Sequence, residues 1–452
     1  MLDSLIMTAG PDEFKMITVT VDGGLLRQSP AARGRRPSRL PEGRVEDAAV
    51  TTRRLPRWNE LSPLLRLRRP DLNPTGRRLD RALCIEDLRA IARRRTPRAV
   101  FDYVDGGADG EVSLRRARDL FASLELQPGV LHDVSAPDLR TPVLGRTNSL
   151  PFAFAPTGFT RMMQHEGEVA VARVAARNGI GYALSTMGTS TIETVAAAAP
   201  EGRLWFQLYV WKDRAASVDL LARARQAGYQ AVVLTVDSAV TGLRRRDLRN
   251  GFAMPPALTA RTVLDGALHP HWWVNLLTTE PLQFASLRRW DRPLAELGNL
   301  LFDPSVTLDD LAWLRSAWDG PLVVKGIQTV RDAQRVLSVG ADAVVLSNHG
   351  GRQLDLAPTP LRLLPEVRDA VGDGPEIWVD TGILTGSDIV AAHALGANLA
   401  LVGRAYLYGL MAGGERGVER AVQILRAEVT RTMQLMGVSR ISDLTPDHVR
   451  LP

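Results

Sequence analysis

Cysteine is almost missing from this chain: Cys84 is the only one in 452 residues. One thiol excludes an intramolecular disulfide framework and any cysteine-cluster metal site, and it suits a reducing cytosol. No metal is expected. Lysine is nearly as scarce. Lys15, Lys212 and Lys325 are the only lysines among 56 Lys+Arg, so almost every cation is arginine, as in the codon bias of a GC-rich genome. The net charge of +6 favours anionic surfaces. The arginines are scattered rather than gathered into a stripe, however, which argues against a nucleic-acid partner. No apolar run approaches the ~20 residues needed to span a bilayer. Met1–Leu26 has neither an apolar leader core nor cleavage-site logic, so no secretory signal is expected. These absences point to a cytoplasmic protein, soluble or peripheral on the inner face of the cell membrane.

The sequence that is present divides by texture. Residues 1–58 are rich in Arg, Pro and Gly, as in Arg33-Gly34-Arg35-Arg36-Pro37, and lack periodicity. They are expected to be a disordered tail, or in part an artefact of start-codon choice. Residues 59–145 form an N-terminal helical segment, with apolar residues at 85, 88, 91 and 92 and a second helix opened in its first turn by Pro97 and stopped by Gly106-Gly107. Residues 146–412 then alternate short apolar runs with amphipathic helices. The runs are 151–156, 181–185, 204–209, 231–236, 322–325, 343–347, 377–380 and 399–403. Helices are expected at 166–178, 214–227, 329–339 and 387–395. Residues 413–452 supply a C-terminal helix completing the domain. Continuous apolar strands imply burial on both faces, and eight βα units imply a closed (β/α)8 TIM barrel. The rival open sheet lacks its dinucleotide turn, because no G-x-G-x-x-G follows the first strand. One insertion, about 238–307, is far longer than a usual βα loop and contains His269-Pro270-His271-Trp272-Trp273.

Barrel enzymes carry their chemistry at strand C-termini. Here those ends are polar: Thr157-Gly158, Ser185-Thr186-Met187, Gln207-Leu208-Tyr209, Thr235-Val236-Asp237, Lys325-Gly326, Ser347-Asn348-His349-Gly350-Gly351-Arg352, Asp380-Thr381-Gly382 and Gly403-Arg404. Lys325 is a lysine in a chain that writes arginine elsewhere, a point charge suited to a developing anion. His349 can take a proton from a substrate, with Asp237 supporting its imidazolium where their strand ends converge. Arg244 and Arg352 can grip a carboxylate bidentately; the bland reading of Arg244-Arg245-Arg246 is a solvated run.

The stretch Ser347-Asn348-His349-Gly350-Gly351-Arg352-Gln353-Leu354-Asp355 resembles the active-site signature of the FMN-dependent L-2-hydroxy-acid oxidases and dehydrogenases. The likeness runs from about Ile85 to His448. It is strongest to actinobacterial L-lactate dehydrogenases of the quinone- or cytochrome-reducing type, which share Thr278-Thr279-Glu280-Pro281-Leu282 and Asp380-Thr381-Gly382-Ile383. The resemblance implies FMN as cofactor and His349 as base, partnered by Asp237. It implies Arg244, Arg352, Tyr103 and Tyr209 at the substrate, and Lys325 near flavin N1. Thr157, Gly158, Ser185, Gln207, Thr235, Ser347, Asp380, Gly382, Gly403 and Arg404 would hold the cofactor. A homo-oligomer, often a tetramer in the family, is also implied, with the 416–436 helix as a contact.

Two departures stand out. Leu384 occupies the place of an arginine that normally helps hold the phosphate, with Arg404, Ser387 and backbone N–H groups as compensators. Met187 replaces the tryptophan of glycolate oxidase, which reshapes the substrate pocket and disfavours glycolate. The expected activity is oxidation of an L-2-hydroxy acid, L-lactate to pyruvate foremost, with electrons passed to a quinone or other acceptor. The alternatives are an oxidase using O2, a larger 2-hydroxy acid or peptide-like substrate, an FMN-dependent barrel isomerase, and a non-catalytic scaffold that has lost FMN. Trp272-Trp273 with Leu276 and Leu277 suits a membrane interface or, equally, packing on the barrel.

Overall fold

The computed structural model describes residues 54–64, 73–251, 265–287 and 302–452. The tail expected over residues 1–58 therefore lies, as far as residue 53, outside the described residues. The piece that follows it carries one helical turn, Trp58–Leu61, and an exposed Arg54–Glu60 ion pair at 2.6 Å.

In the larger unit, four helices precede the barrel: a short one at Pro74–Asp80, then α1 (Ile85–Arg95), α2 (Arg98–Asp105) and α3 (Val112–Ser123). Pro97 stands at the N-cap of α2, one residue earlier than expected, where its fixed φ still suits helix entry. The α3 helix has no side-chain cap of its own. Distant Asp355 caps it instead, accepting from the N–H groups of Gly110, Val112 and Ser113 at 2.8–3.2 Å.

Eight parallel strands then close a barrel in chain order. They are β1 (Phe152–Phe154), β2 (Gly181–Ser185), β3 (Arg203–Leu208), β4 (Ala231–Thr235), β5 (Leu322–Ile327), β6 (Ala343–Leu346), β7 (Glu376–Val379) and β8 (Leu399–Val402). The last pairs with the first, Ala400 opposite Phe152 and Val402 opposite Phe154. Apart from Glu376, every strand residue is buried, which is why the runs are continuously apolar rather than alternating. The four expected helices appear within a residue or two of their predicted ends, as Gly167–Arg177, Arg214–Gln226, Val330–Ser338 and α6 below. Asp213 and Thr329 cap two of them, each cap contributing about 1 kcal/mol.

A hairpin not foreseen from the sequence, Thr141–Val143 with Arg146–Asn148, precedes β1. Buried Arg203 ties it to the barrel, donating to Val143 O at 2.8 Å and Asn148 Oδ1 at 3.1 Å. Inside the barrel, Trp205 and Trp378 meet at 4.7 Å between ring centroids. Gly181 is required beside them, because a Cβ there would lie 2.3 Å from the Trp205 ring.

The insertion contributes two described helices, α4 (Arg245–Arg249) and α5 (Pro270–Leu277). The Trp272 indole donates to Met162 O at 2.7 Å, so that tryptophan packs on the barrel. Helix α6 (Gly386–Ala394) follows β7; α7 (Arg404–Gly413) and α8 (Glu415–Met436) end the chain's helical part. Helix α7 packs against both α1 and α8.

Candidate active site

The strand ends converge on one cavity of about 1050 Å³. At β5 a bulge interrupts the ladder between Lys325 and Ile327, with Gly326 at φ +108°. A Cβ on Gly326 would sit 2.7 Å from the Asp237 side chain, so glycine lets β4 and β5 bring Asp237 and Lys325 close. The Lys325 ammonium is buried and donates to Ser347 Oγ at 3.0 Å, with Asp380 Oδ2 at 3.2 Å. Burial pushes its pKa down, but Asp380 and Asp237 outweigh this and hold it above the ordinary lysine value.

His349 follows β6 at φ +58°, a left-handed conformation unusual for a side-chain-bearing residue. Its N–H donates to Ser347 Oγ at 3.0 Å and its Nδ1 meets Asp237 Oδ1 at 2.9 Å. That contact makes Nδ1 the protonated nitrogen of the neutral ring and leaves Nε2 as its basic one. Burial raises the Asp237 pKa, yet His349 and Lys325 bring it below the ordinary value, so Asp237 stays ionised. Its second oxygen, Oδ2, is buried with no hydrogen-bond partner among the described residues.

The Tyr103 ring lies beneath two guanidiniums, Arg352 Cζ at 4.8 Å and Arg244 Cζ at 5.7 Å from its centroid. Arg352 also donates to the carbonyls of Tyr103 and Gly106. Burial, reinforced by Arg244, lowers its pKa to about 10, leaving it charged at neutral pH. Arg244 is held by Asp247 at 2.7 Å. The 244–246 stretch is therefore not simply a solvated run. Arg246 reaches Asp105 at 2.9 Å and Glu111 at 2.6 Å, although Arg245 is exposed. Tyr209 is buried, and burial together with Asp237 keeps its phenol protonated. Met187 lines the same space with Leu248, Phe284 and Phe302, apolar lining that the strand-end reading missed because it comes from the insertion.

The other side of the cavity is a polar wall. Ser185 Oγ donates to Gln207 Oε1 and Gln207 Nε2 to Thr235 Oγ1, each at 3.0 Å, linking the ends of β2, β3 and β4. Thr157 bonds the Tyr406 hydroxyl. Thr157, Gly158, Ser185, Tyr103, Tyr209, Arg244, Lys325, His349, Arg352, Asp380, Gly382, Gly403 and Arg404 all line the cavity. Gln207, Thr235, Asp237 and Ser347 stand behind it as hydrogen-bond partners of lining residues. At the far end, α7 begins at Gly403 with no side-chain cap. Arg404 commits Nε, Nη1 and Nη2 to the carbonyls of Val104, Gly350 and Gly106 at 2.8–3.0 Å. Ser387, considered above as a phosphate contact, instead meets Thr432 at 3.0 Å on α8.

The other polar side chains of the 347–355 stretch, Asn348, Gln353 and Asp355, are structural braces. Asn348 accepts from Gly351 N and Thr381 Oγ1 at 2.9 Å, and Gln353 donates to Asp237 O and Val240 O at 3.1 Å. Asp355 caps α3. Apart from Gly351, the partners of these side chains are remote in sequence, so no local signal marked their roles.

A parallel barrel gathering a His–Asp pair, a buried lysine and two arginines at its strand C-termini has the build of a barrel enzyme acting on a small anion. The chain belongs to the FMN-dependent dehydrogenase family, whose pattern matches residues 92–451. It is 57% identical over 400 residues to a Mycobacterium tuberculosis protein provisionally named L-lactate dehydrogenase, covering 88% of this chain and 97% of that one. It is 42% identical over 365 residues to the L-lactate dehydrogenase of Caulobacter vibrioides, covering 79% and 95%. The crystal structure of the monotopic membrane protein (S)-mandelate dehydrogenase superimposes with a TM-score of 0.79 at 39% identity, covering 82% of this chain and all of that one.

The cofactor of the family is FMN, and the cavity fits it. The space is large, an uncapped helix N-terminus at one end suits a phosphate, and the buried Lys325 ammonium in the lining suits a ring that gains negative charge.

Proposed function

We propose that the chain oxidises an L-2-hydroxy acid to the 2-keto acid, with L-lactate the foremost substrate and a quinone or similar carrier the electron acceptor. The observation that carries this reading is His349 facing the cavity with its Nδ1 on Asp237 at 2.9 Å. Arg244 and Arg352, stacked over Tyr103, hold the substrate carboxylate. In this reading the substrate hydroxyl and Cα lie within reach of His349 Nε2, which takes one of the two protons lost in the reaction. Asp237, ionised and buried, supports the imidazolium that results. Tyr103 and Tyr209 orient the substrate through their hydroxyls, and the polar wall from Thr157 to Arg404 holds the cofactor. When bound, FMN supplies the two-electron acceptor, and the Lys325 ammonium offsets the negative charge gained there.

Met187, Phe284 and Phe302 favour, as a second reading, a 2-hydroxy acid with a larger apolar side chain. Both readings are tested by anaerobic visible spectra before and after L-lactate, D-lactate and L-mandelate. Bleaching by L-lactate but not D-lactate supports the first. Bleaching by L-mandelate alone replaces lactate with the larger acid. Flavin that no 2-hydroxy acid bleaches removes the activity. We also propose a peripheral membrane association through α5, whose Val274 and Leu277 are exposed beside Leu268. No helix among the described residues is long and apolar enough to cross a membrane.

A further inference from the structure

We propose that Arg118 is the side chain through which this protein recognises the phosphate of FMN, an inference that rests on the FMN reading above. The loop after β7 and the N-terminus of α7 frame one end of the cavity, and the side chain that the loop offers there, Leu384, carries no charge. Arg404 lies close by, but three of its five N–H groups already end on backbone carbonyls, one from each nitrogen. Arg118 reaches this end from another direction, on α3. Its Nη1 donates to the Gly382 carbonyl and to Asp388 Oδ2, the latter at 2.6 Å. The same Asp388 oxygen accepts from Leu384 N at 2.8 Å and Thr385 N at 2.9 Å.

Asp388 therefore fixes both the loop and the guanidinium through one edge of Arg118. The other edge, Nε and Nη2, has no hydrogen-bond partner among the described residues, and Arg118 lines the cavity beside Gly382 and Leu384. Arg115, one turn earlier, is exposed and folds back onto Gly110 O. A fixed guanidinium with a free edge beside an uncapped helix N-terminus is an arrangement suited to a phosphate dianion. The acidic end of α6 and the basic side chain of α3 thus combine to do what position 384 does not.

The test titrates FMN and riboflavin into the flavin-depleted full-length chain, following flavin fluorescence. Riboflavin lacks only the phosphate, so the ratio of the two dissociation constants reads the phosphate contact alone. Arg118→Ala is expected to weaken FMN about ten- to a hundredfold while leaving riboflavin within about threefold. Arg118→Lys should recover part of the preference. A mere brace for the loop would weaken both flavins equally, and that result, or an unchanged ratio, overturns the proposal. If Arg118→Ala does not fold, the Arg118→Lys ratio decides: an unchanged preference overturns the inference and a reduced one supports it. A wild-type chain that binds neither flavin overturns the FMN reading itself, and the inference with it.

Discussion

His349 carries a left-handed backbone at φ +58°, a conformation costing roughly 1–3 kcal/mol that persists where its surroundings impose it. Here Ser347 Oγ fixes its N–H and Asp237 fixes its ring, so the side chain is aimed before any substrate arrives. Replacing it should therefore damage chemistry rather than cofactor binding. For His349→Gln, substrate-driven bleaching is expected to slow by about 10²–10⁴-fold with the bound-flavin spectrum unchanged. Stopped-flow absorbance measures both, and wild-type bleaching rates would remove His349 as the base. At this scale the sequence was legible where a residue was rare or a strand ended in polar groups, as with Lys325 and His349. It was silent where a role depends on a remote partner. Asp355 as the cap of α3, and Arg118 on α3 bonded to Gly382 O and Asp388, have no local signature.

Helix α6 is tied to the start of the barrel by His393, whose Nε2 donates to Pro151 O at 2.7 Å. Burial lowers the pKa of this imidazole to about 4. The folded value lies below that of the unfolded chain, near 6.5, so the unfolded state binds the proton preferentially. The stabilisation is complete above the unfolded pKa and is lost as pH falls from about 6.5 toward 4, by about 2–4 kcal/mol in all. Urea unfolding at about pH 7 and about pH 5 measures this slope. His393→Gln, which keeps a donor but cannot be protonated, should flatten it; an unchanged slope would place the acid lability elsewhere. The elements themselves were readable to different degrees. Each of the eight predicted apolar runs became a barrel strand, because burial on both faces leaves a continuous pattern. The hairpin at 141–148 escaped notice, since each arm is three residues long and one contains Pro142. The α3 helix was submerged in a general expectation of helical structure before the barrel.

For the molecule as a whole, the membrane association proposed above draws on the net charge of +6 and the exposed Leu268, Val274 and Leu277, which together would favour anionic bilayers. Flotation with phosphatidylglycerol-rich vesicles should recover the wild-type chain. Val274→Asp with Leu277→Asp is expected to reduce binding about tenfold or more. Trp272→Ala should matter less, because that indole is turned toward Met162 O. Equal recovery of the Asp variant would remove the insertion as the contact. The closure of the barrel carries a consequence of its own. Strand β8 meets β1 across a seam joining residues some 250 positions apart, the kind of distant pairing that forms slowly. Thr157 and Gly158 lie at one lip of that seam, Gly403 and Arg404 at the other, and all four face the same cavity. On the proposed reading, a cofactor seated there would act as a clasp on the ring of strands, so that holding it and keeping the barrel shut would become a single equilibrium.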